Sequence, residues 1–176
     1  MSLLDRLFPS LRTGADPRAA LRPLYDAIVA RGRAPHWYAD GAVPDTLDGR
    51  FDMIAAILCA VLLRVEGEED ARQGSVWLTE IFIGDMDGQL RQIGIGDMIV
   101  GKHIGKMMSA LGGRLAAYRE GLAEGGDLHG ALVRNLHRGE APDAAALDHV
   151  VSAMRGLWAA LAEVPTPALL AGGLPR

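Results

Sequence analysis

The stretch DMDGQLRQIGIGDMIVGKH, Asp85 to His103, carries two spacings that could do chemistry. From Gly96 to Lys102 it has the G-x-x-x-x-G-K spacing of a phosphate-binding loop, whose backbone N–H groups cradle phosphate while a following Ser or Thr reaches Mg²⁺. The residue that follows is His103, which cannot supply that hydroxyl. A phosphate loop also follows a buried strand, whereas the residues before Gly96 have a helical period. Asp85 and Asp87 suggest calcium instead. An EF-hand loop needs glycine at its sixth position and Glu at its twelfth; here Gly88 comes two positions early and no Glu closes the loop. Asp85 and Asp87, two residues apart, point to different faces of a helix. Asp85 falls beside the apolar stripe, where it can meet a basic residue across the core or a groove. Asp97 reads as a helix N-cap, a carboxylate set against free N–H groups and the positive end of the helix dipole.

The other reactive residue types form no recognisable constellation. His36, His103, His129, His137 and His149 are scattered, without H-x-x-x-H spacing or a cysteine partner. The one cysteine, Cys59, lies in AAILCAVLL with no His or Lys near it, as befits a buried apolar residue rather than a nucleophile. No nucleophile elbow or triad order is present. The expectation is therefore a protein that is not an enzyme and needs no metal or other cofactor. Two polar features remain. In PDTLDGRFD, residues Asp45, Asp48, Arg50 and Asp52 crowd the start of the most apolar helix, and Lys102 and Lys106 stand one turn apart with Arg114 further on.

The elements that must position these residues read as helices. Of 176 residues, 49% are hydrophobic and 5% aromatic, with Ala, Leu and Gly abundant, which favours packed helices over sheets. The net charge of -4 argues against direct nucleic-acid recognition, which needs a basic surface. Asp16-Pro17 predicts a helix to Arg31 with Leu21, Leu24, Tyr25 and Ile28 as its apolar stripe. GRAPHWYADGAVPDTLDGR reads as a long loop. From Thr46 or Asp48 to Val65 the chain is apolar nearly all round and predicts the central helix of the core. Further helices are expected over Glu68–Ile93, where Gly74 is a candidate kink, from Asp97 through Leu122, from Asp127 to Gly139, and from Pro142-Asp143 until Pro165 and Pro167 stop the last. The expected fold is all-α, a single compact domain of five to seven helices around a central apolar helix. A short amphipathic N-terminal segment (1–15) precedes that domain (16–164) and a flexible tail (165–176) follows it.

HWYADGAVPDTLDGRFDM, IGDMDGQLRQIGIGDMIVGKHIGKM and GRLAAY, in that order, resemble the ubiquinol–cytochrome c chaperone family from about Leu21 to Tyr118. The resemblance implies an α-helical assembly factor without catalysis. Such a factor binds newly made cytochrome b, at the membrane surface or the ribosome, and promotes biogenesis of the cytochrome bc complex. By motif it implicates Asp45, Asp48, Arg50, Asp52, Asp85, Asp87, Arg91, Asp97, Lys102, Arg114 and Tyr118 in partner binding, and Lys106, one turn from Lys102, is counted with them. A chaperone for an apolar client needs exposed apolar surface, for which Met98, Met107 and Met108 are candidates. Two other readings stand beside it. One is a helical small-ligand-binding protein or enzyme using the His36–Tyr38 loop with Asp85 and His103. The other is a peripheral membrane protein held by SLLDRLF and Arg12. The most apolar run, Met53 to Leu63, is shorter than the roughly 20 residues of a membrane span. Asp5 and Arg6 interrupt any signal-peptide core. The expected location is the cytoplasm, or the inner face of the cytoplasmic membrane.

Overall fold

Asp16 opens the first element by accepting a hydrogen bond from the Arg18 N–H at 3.0 Å. The structure, a computed structural model, describes residues 16–92 and 97–175, with side chains described outside 90–107. The chain begins with a 3-10 turn, Pro17–Leu21, and continues as α1, Arg22–Gly32. One straight helix was expected here. Pro23 has no N–H to donate to the turn behind it, so the α-helix starts afresh at this point. The expected stripe holds: Leu21, Leu24, Tyr25 and Ile28 are all buried.

The predicted long loop contains a helical turn, α2, His36–Ala39. Its two large side chains return to the end of α1. The Trp37 indole N–H donates to the Arg31 carbonyl at 2.8 Å, and the Tyr38 hydroxyl donates to the Gly32 carbonyl at 2.6 Å. Those are two of the carbonyls a helix C-terminus leaves without partners. Trp37 is fully buried.

The central helix, α3, Leu47–Val65, is capped by the Thr46 hydroxyl, which accepts from the Gly49 N–H at 3.1 Å. From Met53 to Val61 every residue is buried, as the all-round apolar pattern requires. Helix α1 crosses it closely: a Cβ on Gly32 would stand 2.9 Å from the Ile54 Cα.

A 3-10 turn at Glu69–Ala71 leads into α4, Arg72–Gln92, which runs through Gly74 unbroken. That glycine makes room for a neighbour, since a Cβ there would lie 3.5 Å from Leu170. Helix α5, Asp97–Leu122, follows and packs against it. Residues 93–96 and the side chains of Arg91, Asp97, Lys102, His103 and Lys106 lie outside the described residues, as does the expected N-terminal amphipathic segment. Helices α6, Leu128–Leu136, and α7, Ala144–Ala162, are capped by Asp127 and Asp143, whose carboxylates accept from Gly130 and Ala146 N–H groups. Among the described residues there is no strand, and the all-α expectation holds.

The tail expected to be flexible packs on the core. Thr166–Leu170 forms α8, with Leu169 fully buried. Arg64 of α3 anchors the turn before it, donating to the Leu161 and Val164 carbonyls at 2.9 and 3.0 Å. The two prolines that end α7 thus turn the chain back to the core rather than releasing it.

The glycine of PDTLDGRFD is fixed by close approach. A Cβ on Gly49 would fall 1.9 Å from the Pro44 carbonyl oxygen, which is backbone and cannot swing aside. Gly49→Ala is expected to cost at least about 2 kcal/mol by displacing the N-terminal turn of α3, which urea denaturation measures.

Candidate functional site

The residues of RFD divide their work by helical position. Arg50 is exposed and pairs with Asp45 at 2.6 Å, so the motif's outer charges meet each other at the surface. Phe51 turns toward α4 and α5. Its ring lies 5.5 Å from that of Phe82, and the Arg114 guanidinium sits over it at 5.5 Å. Asp52 points inward and is 2% exposed.

A buried carboxylate needs partners, and Asp52 has two. One oxygen accepts from Arg114 of α5, itself mostly buried; the other accepts from Arg138, just beyond α6, at 3.3 Å. Arg138 also reaches Asp48 at 3.1 Å. One carboxylate on the central helix thus ties together α3, α5 and the end of α6. Burial pushes the Asp52 carboxyl above its ordinary range, against the opposing pull of Arg114 and then Arg138. Tyr118, one turn beyond Arg114, is fully buried and its hydroxyl has no hydrogen-bond partner. Burial raises its phenol pKa. Expected on the partner surface, Tyr118 belongs to the interior, where a partner cannot touch it.

Arg138 was not among the residues singled out from the sequence. The one signal was its place before Gly139 at the end of a helix, where a left-handed residue stops the helix. Arg138 itself takes that conformation, with φ 54°, and Gly139 follows at φ 88°.

Asp85 and Asp87 do point to different faces, as their spacing predicts. The partner of Asp85 is not the basic residue expected but a phenol: Tyr25 of α1 donates to it at 2.7 Å, with Gln89 of its own helix at 3.2 Å. Burial raises the Tyr25 pKa first, and the Asp85 hydrogen bond adds to it. Asp87 lines the other side of α4, at the end of an apolar groove. That groove runs between α4 and α5, with Leu62 and Leu115 in its wall. Its main part encloses about 590 Å³, and Val76 and Met108 are 49% and 46% exposed along it. Met108 thus takes the exposed position open to it from the sequence; the side chains of Met98 and Met107 lie outside the described residues.

The His36–Tyr38 stretch is committed to the fold. Trp37 and Tyr38 hold the end of α1, and His36 Nδ1 meets His149 Nε2 of α7 at 2.9 Å. That contact requires at least one neutral imidazole. Burial, then the His149 neighbour, lowers the His36 pKa, and burial lowers that of His137. Among the described residues no group of three or more His, Cys, Asp or Glu could hold a metal ion. Cys59 is buried and its thiol is pushed up to about 12, so it is no nucleophile at neutral pH. No helix among the described residues is long and apolar enough to cross a membrane.

Two outcomes follow from this geometry. Asp52→Ala leaves the buried Arg114 guanidinium without its carboxylate and is expected to cost about 3 kcal/mol in chemical denaturation. The histidines set a pH dependence. A folded-state pKa below the unfolded value, near 6.5 for His36, gives stability that is full above that pH and lost as pH falls through it. Melting temperature is expected to drop between pH 7.5 and 5, and less so in the His36→Asn, His137→Asn double variant.

Comparison with known proteins gives a consistent placement. The pattern of the family described as ubiquinol-cytochrome C chaperone matches residues 39–176. Among solved structures, the Cbp3 homolog from Brucella abortus superposes with a TM-score of 0.78 at 30% sequence identity, covering 90% of this chain and 88% of that one. A comparison with curated protein sequences returned no match. An all-α fold around PDTLDGRFD, matched from residue 39 to the last residue, assigns the chain: it belongs to the ubiquinol–cytochrome c chaperone family.

Proposed function

We propose that this protein is an assembly chaperone that holds newly made cytochrome b and promotes biogenesis of the cytochrome bc complex. Family membership supports the assembly role. The observation that carries the client reading is the apolar groove between α4 and α5, with Val76 and Met108 half exposed beside each other along it. A membrane cytochrome leaving the ribosome presents apolar helices before they are packed. A groove with a methionine on its rim suits such a client, because the thioether chain adapts to varied shapes. The charged rim, Glu66, Arg72 and Glu80, keeps the groove itself soluble and orients the client's polar flanks.

The residues implicated by motif take different parts in this reading. Asp45, Asp48 and Arg50 are exposed at the start of α3 and are assigned to the partner-facing surface. Asp87, at the end of the groove, is assigned to the client contact. Asp52, Arg114 and Asp85 act through the fold that presents those surfaces. Arg91, at the end of α4, and Asp97, Lys102 and Lys106, in the first turns of α5, remain candidates for partner contact. No catalytic role is assigned, and the working place is the cytoplasm or the inner membrane face, beside the ribosome or the lipid surface.

The test is a Val76→Glu, Met108→Glu double variant. Both side chains are exposed, so the melting temperature is expected to change little. Co-purification with cytochrome b from native membranes is expected to fall several-fold, with assembled cytochrome bc complex falling alongside and unrelated respiratory complexes unchanged. Unaltered co-purification would remove the groove from the client reading.

A further inference from the structure

The chain enters the described fold beside the apolar groove. Asp16 and Arg18 line a polar cleft of about 400 Å³ together with Glu80, Gly84 and Gly88 of α4. Arg18 also lies 3.7 Å from the Glu80 carboxylate. Glu80 and Gly84 line the apolar groove as well, with Ile83 and Met108. One ridge of α4 therefore separates the point of entry from the apolar surface, and that ridge is low. A Cβ on Gly84 or on Gly88 would meet nothing within 4 Å. A glycine inside a helix costs about 1 kcal/mol relative to alanine. Gly32 and Gly74 each admit a neighbour, Ile54 and Leu170; over Gly84 and Gly88 no described residue fills the space.

The fifteen residues before Asp16 have a sequence that suits such a groove. At helical spacing Leu3, Leu4, Leu7 and Phe8 share one side, with Asp5 and Arg6 on the other. From Pro9 to Ala15 there are seven further residues. Extended, they span up to about 23 Å, twice the roughly 10–12 Å diameter of a helix. The apolar run can therefore reach the groove by crossing α4 over Gly84.

We propose that residues 2–8 occupy the α4–α5 groove of their own chain, apolar side inward, and leave it when a client binds. The inference rests on the reading of that groove as the client surface. A segment on a short tether is present at an effective concentration of about 1 mM, so an intrinsic Kd of about 0.1 mM lowers the apparent client affinity about tenfold. The segment covers the apolar surface when no client is present, which limits self-association. A client helix that buries more of the groove displaces it.

The test uses the full chain with ¹³C-methyl-labelled Met and Val and a nitroxide on Ser2→Cys; Cys59 is buried and stays unlabelled. Broadening of the Met108 and Val76 methyl signals is expected, independent of protein concentration and lost in the Leu4→Asp, Leu7→Asp variant. A lysine-flanked Leu-Ala helical peptide serves as the probe for an apolar client. It is expected to relieve the broadening, and to bind the Leu4→Asp, Leu7→Asp variant about tenfold more tightly than the parent. Absence of broadening overturns the inference, and peptide binding of equal affinity in the two proteins then leaves the client reading standing without it. Broadening that fades on dilution overturns it in favour of a second copy. Broadening absent in solution, with the nitroxide immobilised only on anionic lipid vesicles, overturns it in favour of a lipid surface. Broadening in the parent with no peptide binding by either protein overturns displacement by a client and removes the groove from the client reading.

Discussion

The rest of the architecture depends on one buried carboxylate, set just before the run of the central helix that is wholly apolar from Met53 to Leu63. Helix α3 is buried along most of its length, so any charge on it has to be answered from a neighbouring element. Asp52 is answered from two directions, by Arg114 of α5 and by Arg138 after α6. Hydrophobic burial is non-directional and would tolerate several ways of laying α5 and α6 against α3. An ion pair with defined partners is not so tolerant, because a misplaced helix leaves charge buried and unpaired. The Phe51 ring between Phe82 and Arg114 adds a second, shape-dependent constraint at the same junction.

Other junctions follow the same logic at helix ends. Helix ends leave carbonyls without partners, and here they are met by side chains from the next segments or from far along the chain. Trp37 and Tyr38 return to the end of α1, and Arg64 reaches forward to the end of α7. Helices α4 and α5 pack against each other. Their outer seam is the groove that keeps Val76 and Met108 partly exposed. In the proposed reading, this open apolar seam on a well-tied scaffold is the surface offered to the client.

Much of the fold was legible in the sequence because helix signals are local. Asp16, Thr46, Asp127 and Asp143 precede their helices as capping residues, and each does cap. The all-round apolar pattern of Met53 to Val61 marked the central helix for the same reason, since a helix with no polar face has no side to offer water. The errors came where local signals meet a neighbour. Pro165 and Pro167 end α7, but whether the chain beyond is loose depends on a pocket for Leu169, which no local pattern encodes. The HWY loop looked available for chemistry because its residue types are versatile; only its packing on α1 and α7 shows them engaged.

By itself the sequence determined the all-α class, the helix starts, the central helix and, through motif order, the family. Its residues also depart from the patterns of a phosphate loop and a calcium loop, which need fixed residue types at fixed short spacings. The tertiary structure alone decided the partners. Asp85 meets the Tyr25 hydroxyl, 60 residues away, rather than a base. Asp52 meets Arg114 and Arg138, 62 and 86 residues away. Tyr118 goes inside while Met108 stays out, although both sit on one helix. Spacing along a helix states which residues share a face. Which face is buried, and which charge waits on the other side, depends on elements distant in sequence and is settled only when they pack.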